Sequence, residues 1–207
     1  MSNHNLYIWL YFLDRIGNKY GVAGLMGNLQ AESNLQPNNL QNSYETSLGF
    51  TDESYTKAVD NGSYSESSFV NDSAGYGLAQ WTYSSRKQAL YNMYKTGGYS
   101  SIGSVELACA FLWYELQNSY SGVLSVLKSA ISVRQASDKV LHDFENPKLQ
   151  DEDVERYRES LGVALLEELS NVGGGGIINP EIPDSDYRIK RGKFKFVLFN
   201  RNRRIRQ

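Results

Sequence analysis

The chain has 207 residues, 41% of them hydrophobic and 13% aromatic, with a formal charge of −2; it is neither collagen-like nor disordered in composition and is long enough to bury a core without staples. One cysteine, Cys109, and two histidines, His4 and His142, exclude an intrachain disulfide, any zinc site needing two thiolates and a three-histidine metal centre. No stretch approaches the roughly 20 apolar residues of a membrane helix, and the opening MSNHNLYIWLYFLDR lacks a basic region ahead of its apolar run, so no signal peptide is visible.

Leu6, Trp9, Leu10, Leu13 and Ile16 share one face of a predicted first helix ending near Gly17. A second, over residues 20–33, buries Val22, Leu25, Met26 and Leu29 and is stopped by Asn34 and Pro37. Residues 38–73 are rich in Asn, Ser, Thr, Tyr, Asp and Gly. They read as too polar for a core helix and as a functional segment or a small β-hairpin region, expected to form one rim of a cleft. Helical patterns then resume. Ser84 or Ser85 can cap a helix ending at Gly97 and Gly98, and Ser104 can cap one holding Val105, Leu107, Ala108, Phe111, Leu112 and Leu116. Shorter helices follow at 122–130 and 133–144, and the last covers 152–169 with acidic residues in its first turn. The fold class is therefore mostly α, with an irregular or small β insertion after the second helix.

Four consecutive glycines, Gly173 to Gly176, with Pro180 and Pro183 behind them, have linker composition. This divides the chain into a main domain at 1–170, a linker at 171–183 and a tail at 184–207. Residues 188–207 carry nine Lys/Arg and no Asp/Glu, which leaves 12 of the 21 basic residues against all 23 acidic ones elsewhere. An acidic body thus carries a basic tail. The tail's alternation of basic and apolar residues suits a short strand or an interfacial segment, and its charge suits an anionic wall polymer, a membrane surface or another protein.

The informative chemistry begins at Gly27-Asn28-Leu29-Gln30-Ala31-Glu32-Ser33. Glu32 closes an apolar helix directly before the polar insertion. A carboxyl half-buried there resists ionising and keeps the proton that a general acid must donate. A glutamate at a helix end is also, on its own, an ordinary surface residue. Further on, Ala74-Gly75-Tyr76-Gly77-Leu78-Ala79-Gln80-Trp81 combines two glycines, which let backbone approach a ligand, with an amide and an indole. Aromatic faces stack on sugar rings and amides bond to hydroxyl and N-acetyl groups, which makes Tyr76, Gly77, Gln80, Trp81 and Tyr83 candidate substrate-binding residues. Without a preceding strand or a P-loop lysine, the glycines are not a phosphate cradle.

Together these segments resemble the lysozyme-like lytic transglycosylases and, more closely, the phage tail lysozyme family. The resemblance rests on Glu32-Ser33, on the run from Val70 to Thr82, on Phe144-Glu145-Asn146-Pro147 and on Arg156, in that order, and spans about residues 5–170. It implies a lysozyme-like α fold that cleaves the β-1,4 bond between N-acetylmuramic acid and N-acetylglucosamine in peptidoglycan, with Glu32 as general acid and no metal or organic cofactor. It also implies a virion-associated protein, or one released to the cell wall. For a second carboxylate the insertion offers Asp52, Glu53, Asp60, Glu66 and Asp72; Asp72 is favoured because it precedes the glycine motif, although a turn or cap residue is as good a reading. A retaining glycosidase holds its carboxyls about 5–5.5 Å apart and an inverting one about 6.5–9.5 Å. If no second carboxyl is needed, attack by the muramic 6-hydroxyl gives an anhydro product, the transglycosylase alternative. Glu145, just ahead of Pro147, reads as a structural group tying down a turn.

Two rivals are distinguishable. A cysteine peptidase or amidase would use Cys109 and His142, but Cys109 sits in the middle of an apolar helix, the place of a core thiol. A non-catalytic virion protein would only hold the wall. Nucleic-acid binding through the tail has nothing but charge in its favour.

Overall fold

The computed structural model describes residues 3–170, so the linker expected at 171–183 and the basic tail expected at 184–207 lie outside the described residues. Ten α-helices and one π turn form there: α1 (Asn3–Ile16), α2 (Lys19–Ser33), α3 (Asn42–Leu48), α4 (Asp52–Asp60), α5 (Glu66–Asn71), α6 (Ser84–Gly97), α7 (Val105–Asn118), α8 (Ser121–Ser129), α9 (Val133–Val140), the π turn (Leu141–Glu145) and α10 (Glu152–Leu169). None of these helices is long and apolar enough to cross a membrane. The mostly α class read from periodicity is the one that forms.

The insertion is more regular than the irregular or small β segment expected. Three short helices, α3 to α5, fill it, and β pairing among the described residues is limited to isolated bridges from Leu40 to Tyr76 and from Tyr76 to Trp81. Its polar residues mark helix ends rather than the lack of helices. Thr51 and Ser54 form a reciprocal capping box on α4 and Ser65 caps α5, so side-chain oxygens satisfy first-turn amides. Between the caps, Tyr55, Ala58, Val59, Phe69 and Val70 are buried. On α1 the buried face is also broader than its periodicity suggests, since Ile8, Trp9, Tyr11, Phe12 and Ile16 enter the core and Leu6, Leu10 and Leu13 pack at its edge.

α2 is the axis of the domain, every residue from Gly21 to Leu29 being buried. Helices α1, α8, α9 and α10 pack around it. Three glycines at three-residue spacing allow this. A Cβ on Gly21 would stand 1.9 Å from the Leu127 carbonyl oxygen of α8, one on Gly24 2.5 Å from the Ala136 Cβ of α9, and one on Gly27 2.5 Å from the Arg158 carbonyl oxygen of α10. Gly162 of α10 is bare for the same reason, its Cβ being blocked at 2.7 Å by the Ala23 carbonyl oxygen. Backbone therefore lies against backbone. Gly27→Ala is expected to destabilise by about 1–3 kcal/mol through overpacking, read as a lower melting temperature by roughly 2–4 °C per kcal/mol. An unchanged melting curve would mean that α10 can retreat at no cost.

Asn34 and Leu35 end α2 with consecutive left-handed conformations, φ 53° and 59°. For leucine this is sterically costly and persists because the side chain is fully buried. Glu32 is thereby left in the final turn.

Candidate active site

Glu32 is partly exposed, its side chain retaining 23% of its accessible surface. The close approach at Gly27 and Gly162 sets the Arg158 side chain across α2, where it donates from Nη1 to Asn28 Oδ1 at 3.1 Å and from Nη2 to Glu32 Oε1 at 2.5 Å. Asn28 and Glu32, four residues apart, share one face of α2. Among the described residues, Glu32 Oε2 makes no hydrogen bond. The family resemblance draws attention to Arg156, but that residue is exposed and paired with Glu152 within α10; the arginine at Glu32 is Arg158. Its signal in the sequence is the Gly27 and Gly162 pair, which requires the two helices to touch.

Ser33 explains why Glu-Ser and the glycine motif occur together. Its hydroxyl lies 3.0 Å from the Leu29 carbonyl oxygen and 2.9 Å from that of Leu78, tying the end of α2 to the motif loop. The motif's glycines do admit a close neighbour, and that neighbour is the chain itself. Gly77, at φ 75°, donates its amide to the Asn39 carbonyl oxygen at 2.8 Å, and Gly75 exchanges hydrogen bonds with Gln41. Gln80 spends its amide nitrogen on Asn39 and on the Gly77 carbonyl oxygen.

Tyr76 and Trp81, at 0% and 1% exposure, present no face on which a sugar could stack. Both are corrected from binding residues to framework: Tyr76 packs among Tyr55 and Phe69, and the Trp81 indole nitrogen donates to Glu115 Oε2 at 2.8 Å. Tyr83, 74% exposed, keeps an open ring. Of the five substrate-binding candidates it is the one whose ring reaches solvent.

Asp72 belongs to a different, buried cluster. Its Oδ1 accepts from Lys87 Nζ at 2.5 Å and from the Ala74 amide at 3.0 Å, and its Oδ2 from the Tyr55 hydroxyl at 2.5 Å and the Tyr64 hydroxyl at 3.2 Å. The side chains of Asp72 and Lys87 keep 3% and 0% of their accessible surface. Burial, with Asp72 adding to it, raises the phenol of Tyr64 to about 12 and that of Tyr55 further, so both remain donors. Four donors occupy both oxygens, which describes a structural keystone and corrects the expectation of a second catalytic carboxylate. The other insertion carboxylates are likewise accounted for. Asp52 accepts from the Leu40 amide, Asp60 from Ser101 and the Ile102 amide, and Glu66 from Gln88, while Glu53 is exposed.

A third carboxyl-rich cluster includes Glu145, which the sequence marks within Phe144-Glu145-Asn146-Pro147, and Glu115, which it does not mark. Glu115 of α7 takes a two-pronged ion pair from Arg86 of α6, at 2.7 and 2.8 Å, besides the Trp81 indole. Glu145, at the end of the π turn, feels the charges of Glu32, Glu115, Arg86 and Arg158. Although the residue as a whole is half-buried, its Oε1 is fully buried and has no hydrogen-bond partner. Glu145 therefore does not tie down the turn, as expected of it; the left-handed Asn146 does, donating its amide to the Leu141 carbonyl oxygen at 2.8 Å. Burial pushes the Glu145 carboxyl well above the usual carboxylate range, the charge on Glu32 adds to this, and Arg86 and Arg158 pull the other way.

Cys109 is fully buried in α7, and His142 engages Gln150 and Glu155 with its two ring nitrogens, so no thiol and imidazole are presented together to a substrate. Cys109→Ala is expected to leave wall lysis unchanged; loss of lysis with an unchanged melting curve would revive the cysteine-enzyme reading.

A scan of protein families matches residues 3–162 to the family described as phage tail lysozyme. No match is found among curated proteins or among solved structures.

Proposed function

Because the chain belongs to the phage tail lysozyme family, whose members degrade peptidoglycan, we propose that it cleaves the glycan strand at the β-1,4 bond between N-acetylmuramic acid and N-acetylglucosamine, with Glu32 as general acid. The observation that carries this reading is the setting of Glu32. It is a partly exposed carboxyl in the last turn of a buried helix, with one oxygen held by Arg158 and the other making no hydrogen bond among the described residues. A carboxyl so anchored keeps its orientation while a sugar binds, as positioned proton transfer requires.

Two product chemistries fit one such acid. Water attacking the anomeric carbon gives a reducing N-acetylmuramic end, and the muramic 6-hydroxyl attacking it gives an anhydro end. The four donors on Asp72 weigh against its acting as the second carboxyl of a two-carboxylate hydrolase, which keeps the transglycosylase reading beside the hydrolase. Tyr83 is proposed as a sugar-stacking residue on its exposure alone. Peptidoglycan is the partner and the virion tail the setting that the family suggests. Mass spectrometry of fragments released from purified peptidoglycan tests the proposal. Reducing or anhydro muramic ends support it and tell the two chemistries apart; reducing N-acetylglucosamine ends or severed peptides overturn it.

A further inference from the structure

One turn ahead of Glu32, the fully buried Asn28 lies where α2, α9 and α10 pack together. Its Nδ2 is within hydrogen-bonding distance of the Gly24 carbonyl oxygen, at 2.9 Å, and of the Ser137 carbonyl and hydroxyl oxygens, both at 3.1 Å. Carbonyl oxygens only accept, so the amide nitrogen must face them and the amide oxygen must face the other way. There Oδ1 accepts from Arg158 Nη1 at 3.1 Å, while Nη2 of the same guanidinium donates to Glu32 Oε1 at 2.5 Å. Ser137 and Arg158 stand 109 and 130 residues along the chain from Asn28. Bare glycines bring both within reach: a Cβ on Gly24 would lie 2.6 Å from the Ser137 amide nitrogen, and one on Gly27 2.5 Å from the Arg158 carbonyl oxygen.

An asparagine in a buried helix is costly where leucine fills the same space, unless both ends of its amide are used. Here both are, and the oxygen is spent on the arginine that holds Glu32. A guanidinium is a rigid plane: one hydrogen bond leaves it free to pivot, and two at different nitrogens fix it. We propose that Asn28 is a positioning residue of the Glu32 site, fixing the plane of Arg158 so that Arg158 fixes which oxygen of Glu32 meets the substrate. This rests on Glu32 being the general acid. Oε1 turns a lone pair to Nη2 and cannot carry a proton toward it, so the proton of the acid form sits on Oε2. From there it passes to the departing sugar oxygen as the bond to the anomeric carbon breaks, and the proton of the attacking hydroxyl restores the acid. An arginine free to swing would let the carboxyl rotate and present either oxygen, and proton transfer depends on the right one being within reach.

The test measures kcat and KM of full-chain variants on solubilised peptidoglycan. Asn28→Leu nearly keeps the volume of the side chain and removes its oxygen. Its kcat is expected to fall about 10- to 100-fold, the cost of misplacing a reacting group by an ångström or less, with KM nearly unchanged. In a chain already carrying Glu32→Gln the same change is expected to cost no further turnover, because an arginine set against a side chain with no proton to give positions nothing. Leu112→Ala, a change in the buried face of α7, is the structural comparator: it lowers the melting temperature but leaves kcat unchanged where the protein is folded. Asn28→Leu behaving like Leu112→Ala overturns the proposal, as does an equal loss in the Glu32→Gln background. Full activity of Glu32→Gln alone overturns the general-acid reading, and the role of Asn28 with it.

A second measurement needs neither activity nor a folded Asn28 variant. Nitrogen NMR of the arginine side chains follows rotation of the Arg158 guanidinium. Held at two points, it should give separate signals for its individual Nη hydrogens in the wild type, and in Glu32→Gln as well, where the glutamine oxygen still accepts. Averaged signals in the wild type overturn the two-point hold. In a folded Asn28→Leu the signals should average, and separate ones there overturn the assignment of that hold to Asn28.

Discussion

Glu32→Gln is expected to lower turnover on purified peptidoglycan by about 10²–10⁴-fold, the usual contribution of a general acid. Glutamine retains the length of the side chain and a carbonyl oxygen that can still accept from Arg158 Nη2, so the arginine keeps its position over Asn28. What is lost is the transferable proton. Binding to the wall, measured by pelleting, should be nearly unchanged, which makes the defect one of turnover rather than of recognition. Some loss of stability should accompany it, because Arg158 is buried and gives up its charged partner. Activity should therefore be compared at a temperature where both proteins are fully folded. Full activity of the variant on purified peptidoglycan would remove Glu32 from the mechanism.

Asp72→Asn should fail in a different way, by unfolding. Removing one partner of a buried ion pair leaves the other charge uncompensated and typically costs about 3–5 kcal/mol, or roughly 2–4 °C of melting temperature for each kcal/mol. Here Lys87 is fully enclosed and also donates to the Ala74 carbonyl oxygen, so the pair fastens α6 to the loop that begins the glycine motif. Burial lowers the proton affinity of Lys87, and Asp72 opposes that. With Asp72 gone only the lowering is left, and a neutral amine is easier to bury than an ammonium. The deficit of the variant should then shrink as pH rises. Replacing Lys87 by methionine in the same chain should recover part of the lost stability, since no orphaned charge remains. Turnover per folded molecule should stay close to the wild type. A protein that melts normally but has lost turnover would return Asp72 to the catalytic pair.

The two expectations separate carboxylates that look alike in the sequence. Asp72 lies beside the glycine motif and Glu145 far from it, yet the fold encloses the first among four donors and leaves the second with a buried oxygen that none reaches. Adjacency along the chain suggests that Asp72 reaches the cleft. Which way a carboxylate points is decided by the helix it ends and by what packs on it, and α5 turns Asp72 toward Lys87. Tyr76 and Trp81 follow the same logic, the ring of Tyr76 being drawn into the core by Tyr55 and Phe69 of the insertion and that of Trp81 by Phe111 and Glu115 of α7.

What the amino-acid order determines by itself is local. Apolar periodicity and caps mark the helices, Ser104 and Asp151 capping α7 and α10 and Asn34 and Gly98 closing α2 and α6. Such signals act within a few residues, so the mostly α class and the position of Glu32 at a helix end are legible in the residue pattern alone. The helical insertion is not, because its polar caps resemble loop composition. The pairing of Glu32 with Arg158, 126 residues apart, is decided only by tertiary packing. Neither residue carries a local mark of its partner. They meet because bare glycines on α2 and α10 let two helix backbones close to contact, and the energy of that contact exists only once both helices are formed and apposed.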